Sequence, residues 1–102
     1  MLGLAKRAGR LSAGHDTAQQ AIIKKKAELV ILCSDASERL LKEFEQLAKT
    51  HTPDIRIMVI KPTMNEIYFE LGIRAGVMTV DDKNFSSGLI SLSEQEDIIY
   101  GN

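Results

Sequence analysis

Two short segments carry the side chains with the best claim to chemistry. Gly14-His15-Asp16-Thr17 opens a stretch of helical patterning that ends in Lys24-Lys25-Lys26. A helix start exposes unpaired backbone N–H groups and the positive end of the dipole, both suited to an anion. Lysines on one flank of that helix would meet phosphates while its start touches base edges or backbone. The plainer alternative is a helix capped by Asp16 whose basic end is merely solvated. The second segment, Gly72-Ile73-Arg74-Ala75-Gly76, sets an apolar side chain and an arginine in a glycine-bounded loop. There Ile73 would pack on an extruded base and Arg74 would pair with phosphate. The alternative is a tight helix-to-strand turn with Ile73 tucked into the core.

Other candidates lead to structural readings. His15 and His51 have no second His, Cys or carboxylate at a ligand spacing such as H-x-x-x-H or C-x-x-C, so no metal site is expected. Ser34-Asp35 and Asp81-Asp82 sit before helical patterning and read as caps rather than as a nucleophile or a magnesium site. Cys33 closes the apolar run Leu29-Val30-Ile31-Leu32 and reads as a buried, inert thiol. The glycines form neither a phosphate-cradling Walker loop nor a dinucleotide fingerprint. The expectation is a protein without catalytic residues or cofactor.

Charge distribution bears on the first segment but leaves its two readings level, an anionic partner or a solvated basic helix end. The chain of 102 residues has a net charge of −1. Residues 1–26 hold six bases against Asp16 alone, a local +5, and the remainder is correspondingly acidic. Such asymmetry points to an anionic partner for the basic part. The single cysteine rules out an internal disulfide, and with 44% apolar residues but no tryptophan the core must be largely aliphatic. Met1 to Ala8 is too short for a signal peptide and is interrupted by Lys6 and Arg7. The longest apolar run is far below the ~20 residues a bilayer demands. These features predict a cytoplasmic protein with no membrane partner.

The elements that must position these residues alternate. Leu2 to Ala8 reads as a short helix closed by Gly9, Leu11 to Gly14 as an extended piece or turn, and His15 to about Lys25 as a helix. Ala27–Cys33, Ile55–Ile60 and Ala75–Val80 are apolar runs of the kind found in strands covered on both faces. Asp35 with Glu38 and Thr63 with Glu66 predict capping boxes for two intervening helices, the second closed by Gly72. Asp82 precedes a last helix carrying Phe85, Leu89 and Leu92. The order predicts one domain over residues 1–102, of the α/β class. The architecture is a three-layer α-β-α sandwich with a mixed, mostly parallel four-stranded sheet whose short first strand lies at the edge.

Ala5-Lys6-Arg7-Ala8-Gly9-Arg10-Leu11-Ser12-Ala13-Gly14, the following helix, and Ala27 to Ser37 together resemble the ribosomal protein L7Ae/L30e family. The helix ending in Leu71-Gly72-Ile73 and the stretch Val77 to Phe85 continue the resemblance, which is nearest to the short bacterial YlxQ-like members. It implies a non-catalytic, ribosomal-protein-like RNA-binding domain that recognises kink-turns, sharply bent duplexes with tandem sheared G·A pairs. It also implies an association with the ribosome or translation. Partners would be ribosomal RNA or another kink-turn RNA, and ribosomal proteins. Carried onto this chain, the motif falls on Gly14, His15, Asp16, Thr17 and Gln20. The basic position falls on Lys24, and the loop over extruded nucleotides on Ile73, Arg74 and Ala75. The chain departs from the family's pattern at Asp16-Thr17, where relatives carry Asn or Lys and then Glu or Gln. It departs again at Gln20, where they carry Lys, and at Tyr68, where they more often carry Gly. An added acid and a missing cation oppose phosphate by ~1 kcal/mol apiece. They leave open the alternative of a protein-interaction module that has lost kink-turn affinity.

Overall fold

A computed structural model describes residues 2–93 and 98–101 of the chain. In order the elements are α1 (Leu2–Arg7), β1 (Leu11–Ala13), α2 (His15–Ile23), β2 (Leu29–Leu32), α3 (Glu38–His51), β3 (Arg56–Ile60), α4 (Met64–Leu71), β4 (Val77–Val80), α5 (Lys83–Ser93) and β5 (Ile98–Gly101). The strands form one sheet in the order β1-β4-β2-β3-β5. Because successive strand residues face opposite ways, β2 and β3 each feed two cores. Val30, Leu32, Ile57 and Val59 pack with Ala18, Ala21 and Ile22 of α2 and with Phe44 and Ala48 of α3. Leu29, Ile31 and Met58 pack with Ile67 of α4, with Leu2 of α1 and with Phe85 and Leu89 of α5. The result is the expected three-layer sandwich. Phe44 is fully enclosed, a burial worth roughly 1.5–3 kcal/mol.

The four expected strands are present, and β1 is the antiparallel edge strand. A fifth, β5, runs antiparallel to β3 at the far edge. It is too short and too close to an acidic stretch to announce itself by alternation. The expectation of a mostly parallel sheet is corrected: only β2 with β3 is parallel, and β4 runs antiparallel to β2. An apolar run records that both faces of a strand are covered, not which way the strand points. Direction is decided by α4. Its eight residues span only about 12 Å, and residues 72–76 then double back beside it. Gly76 lies so close to the start of α4 that a Cβ there would come within 2.9 Å of the Met64 sulfur. Strand β4 therefore enters at the end of the sheet from which β3 leaves.

The caps are mostly those expected, with one exchange of roles. The Thr63–Glu66 capping box forms, Gly72 caps α4, and Asp82 accepts from the N–H groups of Asn84 and Phe85. Helix α3, however, is capped by Ser37, whose hydroxyl accepts from Leu40 N–H at 3.1 Å. Asp35 instead accepts from the N–H of Met64 at 2.9 Å, tying the β2–α3 loop to the first turn of α4.

Candidate nucleic-acid interface

Helix α2 begins at Gly14, not at Asp16. Gly14 has φ 100° and ψ 159°, a region essentially reserved for glycine. That backbone lets its N–H donate to the Val77 carbonyl at 3.0 Å while its own carbonyl accepts from Ala18 N–H at 2.9 Å. One residue thus starts the helix and fastens it to β4. No side chain caps the first turn, so its N–H groups stay available to an anion.

Asp16 makes a different contact. Its carboxylate lies 2.9 Å from His15 Nδ1, and the other ring nitrogen meets Glu43 of α3 at 2.5 Å. The imidazole also stands edge-on to Phe44, with centroids 5.6 Å apart. The hydrogen bonds from Asp16 and then Glu43 raise the His15 pKa above its ordinary value. When protonated, His15 faces two carboxylates at the start of the helix. Nothing in the sequence pairs Glu43 with residue 15, because the contact spans 28 positions.

One flank of α2 lines a shallow groove. Asp16, Thr17, Gln20 and Lys24 share it with Ser12 of β1 and with Lys26. Helical spacing alone puts residues 16, 20 and 24 on one stripe; Ser12 joins because β1 is the adjacent edge strand. The helix closes at Lys24. Lys25 then adopts φ 59°, and the N–H groups of Lys25 and Lys26 return to the carbonyls of Ile22 and Ala21. Glycine is the usual occupant of this left-handed position, and a lysine there costs about 1 kcal/mol or more. Lys24, Lys25 and Lys26 are all exposed.

The second segment divides. Ile73 is only 4% exposed and belongs to the core between the sheet and α4. Its side chain is therefore not a surface for a base, and the tight-turn alternative describes it correctly. Ala75 is half-buried, its carbonyl accepting from the Cys33 thiol at 3.6 Å. Burial and Asp35 push that thiol up to about 11, which leaves it inert. Arg74 is exposed and lies over the Tyr68 ring at 4.4 Å from the centroid, with one guanidinium nitrogen donating to the Tyr68 hydroxyl at 3.0 Å. Val77, which holds Gly14, is three residues from Arg74, about 10 Å of extended chain. The two segments chosen from sequence thus lie at the same end of the sheet. Among the described residues no group of three His, Cys, Asp or Glu side chains is arranged to hold a metal ion, and no helix is long and apolar enough to cross a membrane.

An α-β-α sandwich with an open helix start, a polar groove and an exposed lysine cluster has the makings of a nucleic-acid-binding domain. Residues 1–67 match the ribosomal protein L7Ae/L30e/S12e/Gadd45 family, and the chain belongs to it. Membership supports a non-catalytic, RNA-binding, ribosomal-protein-like role. The match takes in α2 and its groove and stops before residues 72–76. A solved structure described as a protein of unknown function from Bacillus halodurans is similar over almost the whole fold. It has a TM-score of 0.81 at 29% identity and covers 91% of this chain and 92% of that one. No curated protein matches the sequence.

Proposed function

We propose that the protein binds a kink-turn-type RNA through the start and groove flank of α2, with the 72–76 segment completing the contact, in the service of the ribosome or translation. The observation that carries this reading is the Gly14 N–H to Val77 carbonyl bond, which fastens the start of α2 to the first residue of β4, directly after the 72–76 segment. Gly14 lets RNA backbone approach, the N–H groups of the open first turn donate to phosphate or base-edge acceptors, and Lys24 with Lys26 holds phosphate along the groove. Lys25 adds support, since a cation kept in a conformation that glycine would occupy more easily points to a use for its charge.

Asp16 and Glu43 favour a second reading, a protein-interaction surface, because they bring two carboxylates to the place where phosphate would sit. His15, when protonated, offsets part of this charge. The deciding experiment titrates the protein with a kink-turn duplex and with a control of equal length whose G·A pairs are replaced by Watson–Crick pairs, at two salt concentrations. Tight binding to the kink-turn alone is expected. Equal, salt-sensitive binding to both would leave a general RNA binder, and binding to neither would hand the surface to a protein partner.

A further inference from the structure

Ser12 lines the α2 groove from outside the helix, and its hydroxyl is tied from behind. Leu11 and Ala13 pack on the α4 side of the sheet, so Ser12, between them on β1, points to the α2 side. Its pairing partner on β4 is Thr79, which is fully enclosed. Both hydroxyls converge on Asp81, Thr79 Oγ1 donating to Oδ1 at 2.8 Å and Ser12 Oγ donating to Oδ2 at 2.5 Å. An ionised carboxylate only accepts, so each hydroxyl commits its proton to that bond. The nearby arginine does not compete, because Arg10 pairs with Asp82. What Ser12 offers the groove, beside Thr17, Gln20, Lys24 and Lys26, is therefore the lone pairs of its oxygen.

We propose that Ser12, held as an acceptor by Asp81, receives the 2′-hydroxyl of one ribose of the RNA bound along α2, a contact that rests on the RNA-binding reading above. A serine hydroxyl commonly donates to phosphate, but phosphate oxygens only accept and find no free proton here. The Asp81 charge behind the hydroxyl also opposes a phosphate at this point. A ribose 2′-hydroxyl can donate, and it is the group by which a protein tells RNA from DNA. Linked hydrogen bonds polarise one another, so donation to the carboxylate makes the Ser12 oxygen a better acceptor. Lys24 and Lys26 in the same groove suit the neighbouring phosphates. Thr79 fixes the carboxylate from the interior. Asp81 is thus a positioning residue, and Ser12 is the one that touches the ligand.

The test is a deoxy scan. A fluorescently labelled kink-turn RNA duplex is prepared with a single 2′-deoxy substitution at each nucleotide in turn. Wild type, Ser12→Ala, Ser12→Thr and Asp81→Asn are titrated with each, and circular dichroism verifies that the variants are folded. Wild type is expected to lose about fivefold in affinity at one ribose. Ser12→Ala is expected to bind the intact duplex about fivefold more weakly and to lose nothing more at that ribose. Ser12→Thr keeps the hydroxyl and should keep the loss. Asp81→Asn should reduce it to below about twofold, because Thr79 takes the amide oxygen and the amide nitrogen then donates to Ser12. A deoxy substitution that only disturbs the RNA weakens wild type and Ser12→Ala alike. If every deoxy effect is shared in that way, or wild type shows none while still binding RNA, the ribose contact is overturned and the RNA reading stands. Full sensitivity in Asp81→Asn overturns the positioning role of Asp81. If wild type does not bind the intact duplex at all, the RNA reading fails and takes the ribose contact with it.

Discussion

Along α2, Asp16, Thr17, Gln20 and Lys24 face one groove because a helix repeats every 3.6 residues, whereas Arg74 reaches Tyr68 only because residues 72–76 double back along α4. The first half of the candidate interface is local: each side chain is placed by its distance in sequence from the others. The second half is tertiary, and its side chains are sorted by burial, Ile73 inward and Arg74 outward. The lesson is that helical periodicity names a face reliably. A glycine-bounded loop names only a neighbourhood, and packing chooses which of its side chains the solvent sees.

Gly14 fastens α2 to β4, the strand that follows the 72–76 segment, so its replacement should have the largest effect. Gly14→Ala forces a Cβ onto φ 100°, and although open space surrounds it the backbone itself is strained. A loss of about 1–3 kcal/mol in stability is expected, measured by urea denaturation, together with weaker RNA binding as α2 shifts from β4. Unchanged stability would mean that the start of α2 is not fastened as described.

Charge reversal at Lys24 and Lys25 acts on the α2 half alone. Lys24→Glu with Lys25→Glu should weaken RNA binding about 30-fold at low salt, at ~1 kcal/mol for each reversed position, and flatten the salt dependence. Fluorescence anisotropy at two salt concentrations reads both, and unaltered affinity would show that the RNA does not use this groove. The opposite sign is expected from Asp16→Asn, which removes an acid from the same flank and should tighten binding about fivefold, the equivalent of ~1 kcal/mol.

The smallest effect is that of pH. His15 titrates above its ordinary value because Asp16 and Glu43 hold the imidazolium. The stabilisation from this pairing is fully present below the unfolded value of about 6.5 and is lost as pH rises through the raised folded value. Deprotonation also leaves Asp16 and Glu43 unbalanced before phosphate, so RNA binding should weaken about threefold across that range. His15→Gln should make both profiles flat, and a pH dependence that survives it would assign the titration elsewhere.

The sequence by itself determined the layers, most of the caps and the α2 half of the candidate interface. Those features rest on short-range physics: the period of a helix, the unbroken apolar run of a strand covered on both faces, and the reach of Thr63 to Glu66 within one turn. It did not carry the direction of β4, since an apolar run reads the same both ways. It did not carry the exchange by which Ser37 caps α3 while Asp35 bonds to the first turn of α4, already capped by Thr63. Nor did it show that Glu43 closes on His15, that Ser12 joins the α2 groove, or that Tyr68 and Arg74 lie together beside a buried Ile73. Each of these depends on how separate elements pack, and no local spacing encodes where two distant side chains will meet.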